Sequence, residues 1–178
     1  MIISLQEAKQ LDSNITQATL DSYETAVRKL TNNNFQVTDI RSRGFTVKGN
    51  TVTLRDHRLV EYLLEDDTVQ ITDTGTIDGL YTVASVVDKT VTFHQTPRLS
   101  GDFHHGVVTF IQYPADIKEG VRRLITYDKN MRGKTGIKSE SISRMSLTYY
   151  DVNANETVGG YPANLTSFLQ KYLKIKWG

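Results

Sequence analysis

Phe45-Thr46-Val47-Lys48-Gly49-Asn50-Thr51-Val52-Thr53-Leu54 alternates apolar and polar residues on both sides of a Gly-Asn pair. Alternation at period two puts Phe45, Val47, Val52 and Leu54 on one face of a sheet, and Gly-Asn suits a two-residue hairpin turn. The same period recurs outward along the chain. Thr68-Val69-Gln70-Ile71, Tyr81-Thr82-Val83, Val91-Thr92-Phe93 and Val107 to Ile111 read as further strands, with turns at Asp78-Gly79 and Asp88-Lys89. Short strands with turns at close intervals predict a small barrel or sandwich between 35 and 112, where closure would remove exposed edges.

On either side the period becomes helical. Ser4-Leu5-Gln6-Glu7 has the form of a capping box and opens a short helix to about Leu11. Leu20, Tyr23, Val27 and Leu30 share a face from about Gln17, and Asn32-Asn33-Asn34 can stop that helix because Asn tolerates the left-handed conformation. After Tyr113-Pro114, Ile117, Val121, Leu124 and Ile125 form one apolar stripe, fading near Asn130 to Gly133. A final helix is expected from Pro162, carrying Leu165, Phe168, Leu169, Tyr172 and Leu173. These stripes are modest and would need each other. The expected class is therefore α+β: a helical bundle body formed by both chain ends, an inserted small antiparallel β-barrel or sandwich, and an extended C-terminal arm. The corresponding segments are 1–34 (first part of the body), 35–112 (β insertion), 113–135 (second part of the body) and 136–178 (arm with terminal helix).

Composition narrows the function. Lys and Arg number 21 against 20 Asp and Glu, so net charge does not announce a nucleic-acid binder. The hydrophobic fraction of 38% suits a thin-cored subunit that gains burial from neighbours. Without cysteine, disulfides, thiolate metal sites and cysteine nucleophiles fall together. No segment reaches the ~18 apolar residues of a membrane span, and the N-terminus has no secretory pattern. A protein made in a cytoplasm, with no membrane partner, is the expectation.

No catalytic constellation emerges. Gly133-Lys134-Thr135 resembles the end of a phosphate loop, but Asp128 stands where its first glycine belongs and the flanking elements are wrong. His104 and His105, as neighbours, cannot face one metal from a strand, and they read better as a surface loop before the last strand. Glu65-Asp66-Asp67 lacks the spaced oxygens of a calcium loop and reads as a solvated turn. No cofactor, metal or enzymatic activity is expected.

The last third points to assembly. The basic loop Arg132-Gly133-Lys134-Thr135-Gly136-Ile137-Lys138 leads to an alternating run, Ile142 to Tyr150, that has little of its own to fold around. Between Gly120 and Lys138, Arg122, Arg123, Lys129, Arg132, Lys134 and Lys138 face only Asp128, whereas Asn50 to Gly79 is acidic. The bland reading is a solvated helix face and loop. Alternatively, a ring of subunits could line a channel with repeated positive charge against a phosphate backbone.

Several short motifs here resemble head–tail connector (adaptor) proteins of long-tailed bacteriophages. They are Tyr127-Asp128 in a Pro-led helix, Gly136-Ile137-Lys138-Ser139-Glu140-Ser141-Ile142, and Tyr161-Pro162 to Tyr172-Leu173-Lys174-Ile175-Lys176-Trp177. The strand block is similar to an insertion in some members, through Asp67 to Ile71 and Asp78 to Val83. The resemblance implies a non-enzymatic virion protein at the head–tail interface: a homo-oligomeric ring, usually dodecameric, below the portal. Such a ring extends the channel for double-stranded DNA and supports a stopper or tail-completion protein. It further implies portal binding by the arm, through Ile137, Ile142, Met145, Leu147, Tyr149, Tyr172, Ile175 and Trp177. Main-chain pairing would supply affinity there and alternate side chains specificity. Arg132, Lys134 and Lys138 would face the DNA channel. Two other classes compete: another virion ring component, such as a stopper or tail-completion protein, and a small β-barrel nucleic-acid module. Stoppers are mainly β-barrels, so a helical body argues against the first, and the acidic Asn50–Gly79 span disfavours the second.

Overall fold

The period-two segments join into one closed sheet. A computed structural model of the protein describes residues 1–132, 139–142, 145–148 and 157–175. Strands β1 (Gln36–Lys48), β2 (Thr51–Leu54), β3 (Thr68–Thr72), β4 (Gly79–Val87), β5 (Thr90–Phe93) and β6 (Gly101–Ile111) form an antiparallel barrel in the order β1-β2-β5-β4-β3-β6. Pairing of β6 with β1 closes it. Lys48 faces Thr51 across Gly49-Asn50, and Val87 faces Thr90 across Asp88-Lys89. Phe45, Val47, Val52, Val69, Val83 and Phe93 are buried inside, as a small barrel filled by its own side chains requires. Tyr81 stacks on Phe93 at 5.0 Å and donates its hydroxyl proton to the Ile77 carbonyl at 2.8 Å.

Two strands run further than hydrophobic alternation shows. β1 begins at Gln36 although Asp39, Arg41 and Arg43 interrupt its apolar pattern; Gln36, Arg41, Ser42 and Arg43 pair with β6, with a register shift between Gln36 and Arg41. Its register shifts between Arg43 and Phe45, where Gly44 takes φ +76° and a methyl group would lie 2.9 Å from Arg55 Cδ. That is a bulge only glycine accommodates comfortably. β6 begins at Gly101, so His104 and His105 lie within the strand and not in a loop before it.

A second unit comprises Ile2–Asn33 and the described residues from Pro114 onward, while the barrel unit spans Asn34–Tyr113 with Met1. Helices α1 (Leu5–Leu11), α2 (Gln17–Thr31) and α3 (Ala115–Met131) lie in this second unit. So do α4 (Ala163–Thr166) and the 3₁₀ turn Ser167–Tyr172 that continues it. Ser4 Oγ accepts from the Glu7 amide at 3.2 Å and Thr16 Oγ1 from the Thr19 amide at 3.2 Å, capping α1 and α2. Leu20 and Val27 of α2, Ile117, Val121 and Ile125 of α3, and Leu169 are buried. Gly120 lets Phe168 approach α3: a methyl group there would lie 2.3 Å from Phe168 Cζ.

The expected helical bundle body formed by both chain ends is overturned. The dominant element is the six-stranded closed antiparallel barrel, accompanied among the described residues by four α-helices of 4 to 17 residues. A bundle needs several long stripes in register, but α1 has seven residues and buries only Ala8. The terminal helix is four residues of α before tightening to 3₁₀ over Ser167–Tyr172. The extended arm is corrected as well. β7 (Ser139–Ile142) pairs antiparallel with β8 (Met145–Thr148), Ile142 opposite Met145, so this run is a hairpin. β9 (Thr157–Val158) and β10 (Tyr161–Pro162) form a second small pair.

Candidate interaction surface

The C-terminal run is tied to the end of α2. Asn32 takes φ 48° and closes that helix, and its side-chain amide donates to the Lys174 carbonyl at 3.2 Å. The Asn33 amide donates to the Tyr172 carbonyl at 3.3 Å, and the Lys174 amide donates to the Thr31 carbonyl at 2.8 Å. The Asn run thus serves both as a helix stop and as a main-chain cradle. Held in this way, Leu173 is 58% exposed and Ile175 78% exposed.

Tyr172, one of the expected arm residues, is occupied within its own unit. Its hydroxyl donates to Asp116 Oδ1 at 2.5 Å, and Lys171 forms an ion pair with the other oxygen. Lys171 first and Tyr172 second hold the Asp116 carboxyl below the usual carboxylate range. Register sets Ile142 opposite Met145 and Glu140 opposite Leu147, so these positions share one hairpin face. Ile137, Tyr149, Trp177, Lys134 and Lys138 lie outside the described residues, as does the Gly133-Lys134-Thr135 motif.

The basic stripe has partners that spacing along the chain does not reveal. Arg132 makes a two-pronged ion pair with the buried Asp12, and that guanidinium, followed by the Asn14 amide, holds the Asp12 carboxyl low. Arg122 Nε donates to Glu7 Oε1 at 2.6 Å, and both Arg122 and Arg123 reach Glu119. Lys129 Nζ donates to the Leu11 carbonyl at 2.7 Å. The described cations of this stretch therefore knit the unit together, and Arg132 is an internal strut.

Asp128 organises a cavity of about 500 Å³ lined by Tyr23, Val27, Leu30, Leu124, Tyr161 and Leu169, among others. Its Oδ2 accepts from the Tyr161 hydroxyl at 2.6 Å and also from the Tyr23 hydroxyl. Burial first, then the bond to Asp128, push both phenols well above their ordinary range. They act as fixed donors and not as nucleophiles.

The barrel carries a second exposed apolar feature, between β2 and β3. Leu59 and Leu63 are buried in the barrel core, and a 3₁₀ turn, Val60–Tyr62, holds Tyr62 at 55% and Leu64 at 73% exposure. The turn is pinned: Asp67 Oδ2 accepts from the Leu64 amide at 2.8 Å, and the Asp67 amide returns to the Leu64 carbonyl at 3.2 Å. Exposed Glu61 and Glu65 flank it and make no ion pair among the described residues. Composition flagged the acid here, but not the fixed apolar pair.

Elsewhere His57 lies 3.6 Å from Asp88, His94 lies 3.7 Å from Asp66, and Arg55 contacts His104 Nδ1. Among the described residues no cluster of three or more His, Asp or Glu could hold a metal ion, and no helix is long and apolar enough to cross a membrane. No protein-family model matches the chain, and no curated protein matches it in sequence.

Proposed function

We propose that this chain is a structural, non-enzymatic subunit of a head–tail connector (adaptor) ring. In this reading the ring lies below the portal, extends the channel for double-stranded DNA and offers a platform to a stopper or tail-completion protein. The observation that carries the reading is the C-terminal run: main-chain bonds to the end of α2 order it while Leu173 and Ile175 stay in water. Such an arrangement is costly for a free monomer and useful for an assembling one. The portal contact is assigned to the 137–150 segment through Ile137, Ile142, Met145, Leu147 and Tyr149, with Trp177 as an aromatic anchor. Lys134 and Lys138 are assigned to the lumen, whereas the Asp12 partner offsets the charge of Arg132.

The test is portal binding by the full chain carrying Ser at Ile142, Met145 and Leu147. Truncation after Arg132 would not serve, since Thr166 and Leu169 are buried in the second unit. The substituted protein should keep its fold and lose portal binding. Wild-type affinity would end the assignment. A second reading, a stopper or tail-completion protein, is favoured by the closed barrel as the dominant element of the chain. Negative-stain imaging separates the two: an adaptor stacks on an isolated portal, whereas a stopper requires a portal already bearing its adaptor.

A further inference from the structure

We propose that the pinned apolar turn of the barrel unit receives the C-terminal run of a second copy of this chain. Each surface alone is an apolar pair in water, and their chemistry is complementary. Tyr62 and Leu64 stand two residues apart around the extended, core-facing Leu63 (φ −91°, ψ 132°). Leu173 and Ile175 also stand two residues apart, and the backbone at Leu173 is extended (φ −60°, ψ 125°). Each pair thus brackets a single intervening residue, Leu63 in the turn and Lys174 in the run. Glu61 and Glu65 surround the first pair. The exposed Lys174 lies within the second, and Lys176 follows in sequence. Neither Glu61, Glu65 nor Lys174 has an ion-pair partner among the described residues. Opposite charges around the two apolar pairs select register and reject like copies.

The contact is head-to-tail, because the two surfaces differ, and such contacts close into rings or run on as filaments. A stable protein interface buries roughly 1,200–2,000 Å², and two apolar side chains per copy supply only part of that. Each contact is therefore weak alone and is strengthened when a ring closes. The inference deepens the ring reading by naming its subunit contact. Its test uses this protein alone, so portal binding can survive its failure.

Sedimentation velocity of the full chain over a concentration series is the measurement. Wild type should associate as concentration rises. Leu64→Glu and Ile175→Glu, both at exposed positions, should keep the wild-type circular dichroism and weaken association by about tenfold or more. Tyr62→Ser provides a second probe of the turn. Mixing the Leu64→Glu and Ile175→Glu proteins leaves one intact contact per pair, so the mixture should form dimers and stop there. Glu65→Lys combined with Lys174→Glu should restore association lost in either alone. Wild type that stays monomeric at its highest soluble concentration, variants of unchanged mass, or a mixture that stays monomeric while wild type assembles would each overturn the proposal.

Discussion

The barrel unit buries aliphatic and aromatic side chains, and its buried polar groups are hydroxyls: Ser42, Thr68, Thr82 and Thr109. The helical unit buries Asp12, Glu24 and Asn33 besides the hydroxyls of Thr31 and Thr166, and it joins distant segments through carboxylates. Asp12 holds Arg132, Glu7 holds Arg122, Asp116 holds Tyr172, and Asp128 holds Tyr23 and Tyr161. Burial is non-directional and largely indifferent to pH, whereas charge-assisted bonds are specific and depend on ionisation. One chain thus contains a unit stabilised mainly by packing and another whose shape relies on ionised acceptors.

The largest expected effect strikes the packing side. Phe93→Ala removes a ring stacked on Tyr81 in the barrel core and should cost about 3–5 kcal/mol in denaturant unfolding. Phe168→Ala, at a half-buried position of the helical unit, should cost clearly less. Equal losses would break the contrast.

Acid should act in the opposite sense. Asp12 and Asp116 titrate below their ordinary range in the folded chain, through Arg132 and Lys171 respectively. A depressed carboxyl contributes stability that is fully present above its unfolded pKa, about 3.9. That stability is lost as pH falls through the lower folded value. Hydrogen exchange followed downward from about pH 4 should therefore show α1 and α3 amides losing protection before β3, β4 and β6 do. Asp78 is also held low, by Thr74, so the 74–78 turn should loosen early while the strands around it persist. Barrel strands opening first would invert the comparison.

How much of this could be read along the chain follows from the same division. The Gly49-Asn50 hairpin, the Ser4-Glu7 cap and the stripe of α3 are local patterns, and local patterns leave a signature in adjacent residues. The first half of β1 and the start of β6 do not. Exposed Asp39, Arg41, His104 and His105 erase the alternation; Arg41 pairs with Thr109, while Asp39 and the two histidines fall where the register between β1 and β6 shifts. The carboxylate partners are separated by up to 120 residues, Asp12 to Arg132 being the longest. The basic stripe consequently looked free when it was largely paired. Asn32-Asn33-Asn34 was legible as a stop signal, but its second role depends on a run of chain that arrives 142 residues later.

Gly120→Ala tests a packing contact inside the less apolar unit. Alanine should gain roughly 1 kcal/mol of helix propensity, while the 2.3 Å approach to Phe168 forces that ring away. Overpacking of this kind costs about 1–3 kcal/mol, so a net loss near 1 kcal/mol is expected in thermal unfolding. Pairing it with Phe168→Ala should make the alanine at 120 stabilising, because the obstacle is gone. Additive losses would show that the ring is not what Gly120 accommodates.

Asn32→Gly carries the smallest expected change in stability and separates the fold of the helical unit from the run it holds. Glycine relieves the left-handed backbone at φ 48°, a gain of order 1 kcal/mol. It also removes the exposed amide bond to the Lys174 carbonyl, a loss of about 0.5–1.5 kcal/mol. The two should nearly cancel in global unfolding. Hydrogen exchange at the Lys174 amide, which bonds the Thr31 carbonyl, should nevertheless quicken, because half of its cradle is gone. A run ordered for contact and not for stability behaves in this way: it can be loosened without unfolding its own unit. If Asn32→Gly instead lowers global stability by more than about 1 kcal/mol, the run belongs to the unit's own fold. The exposure of Leu173 and Ile175 would then be incidental to assembly.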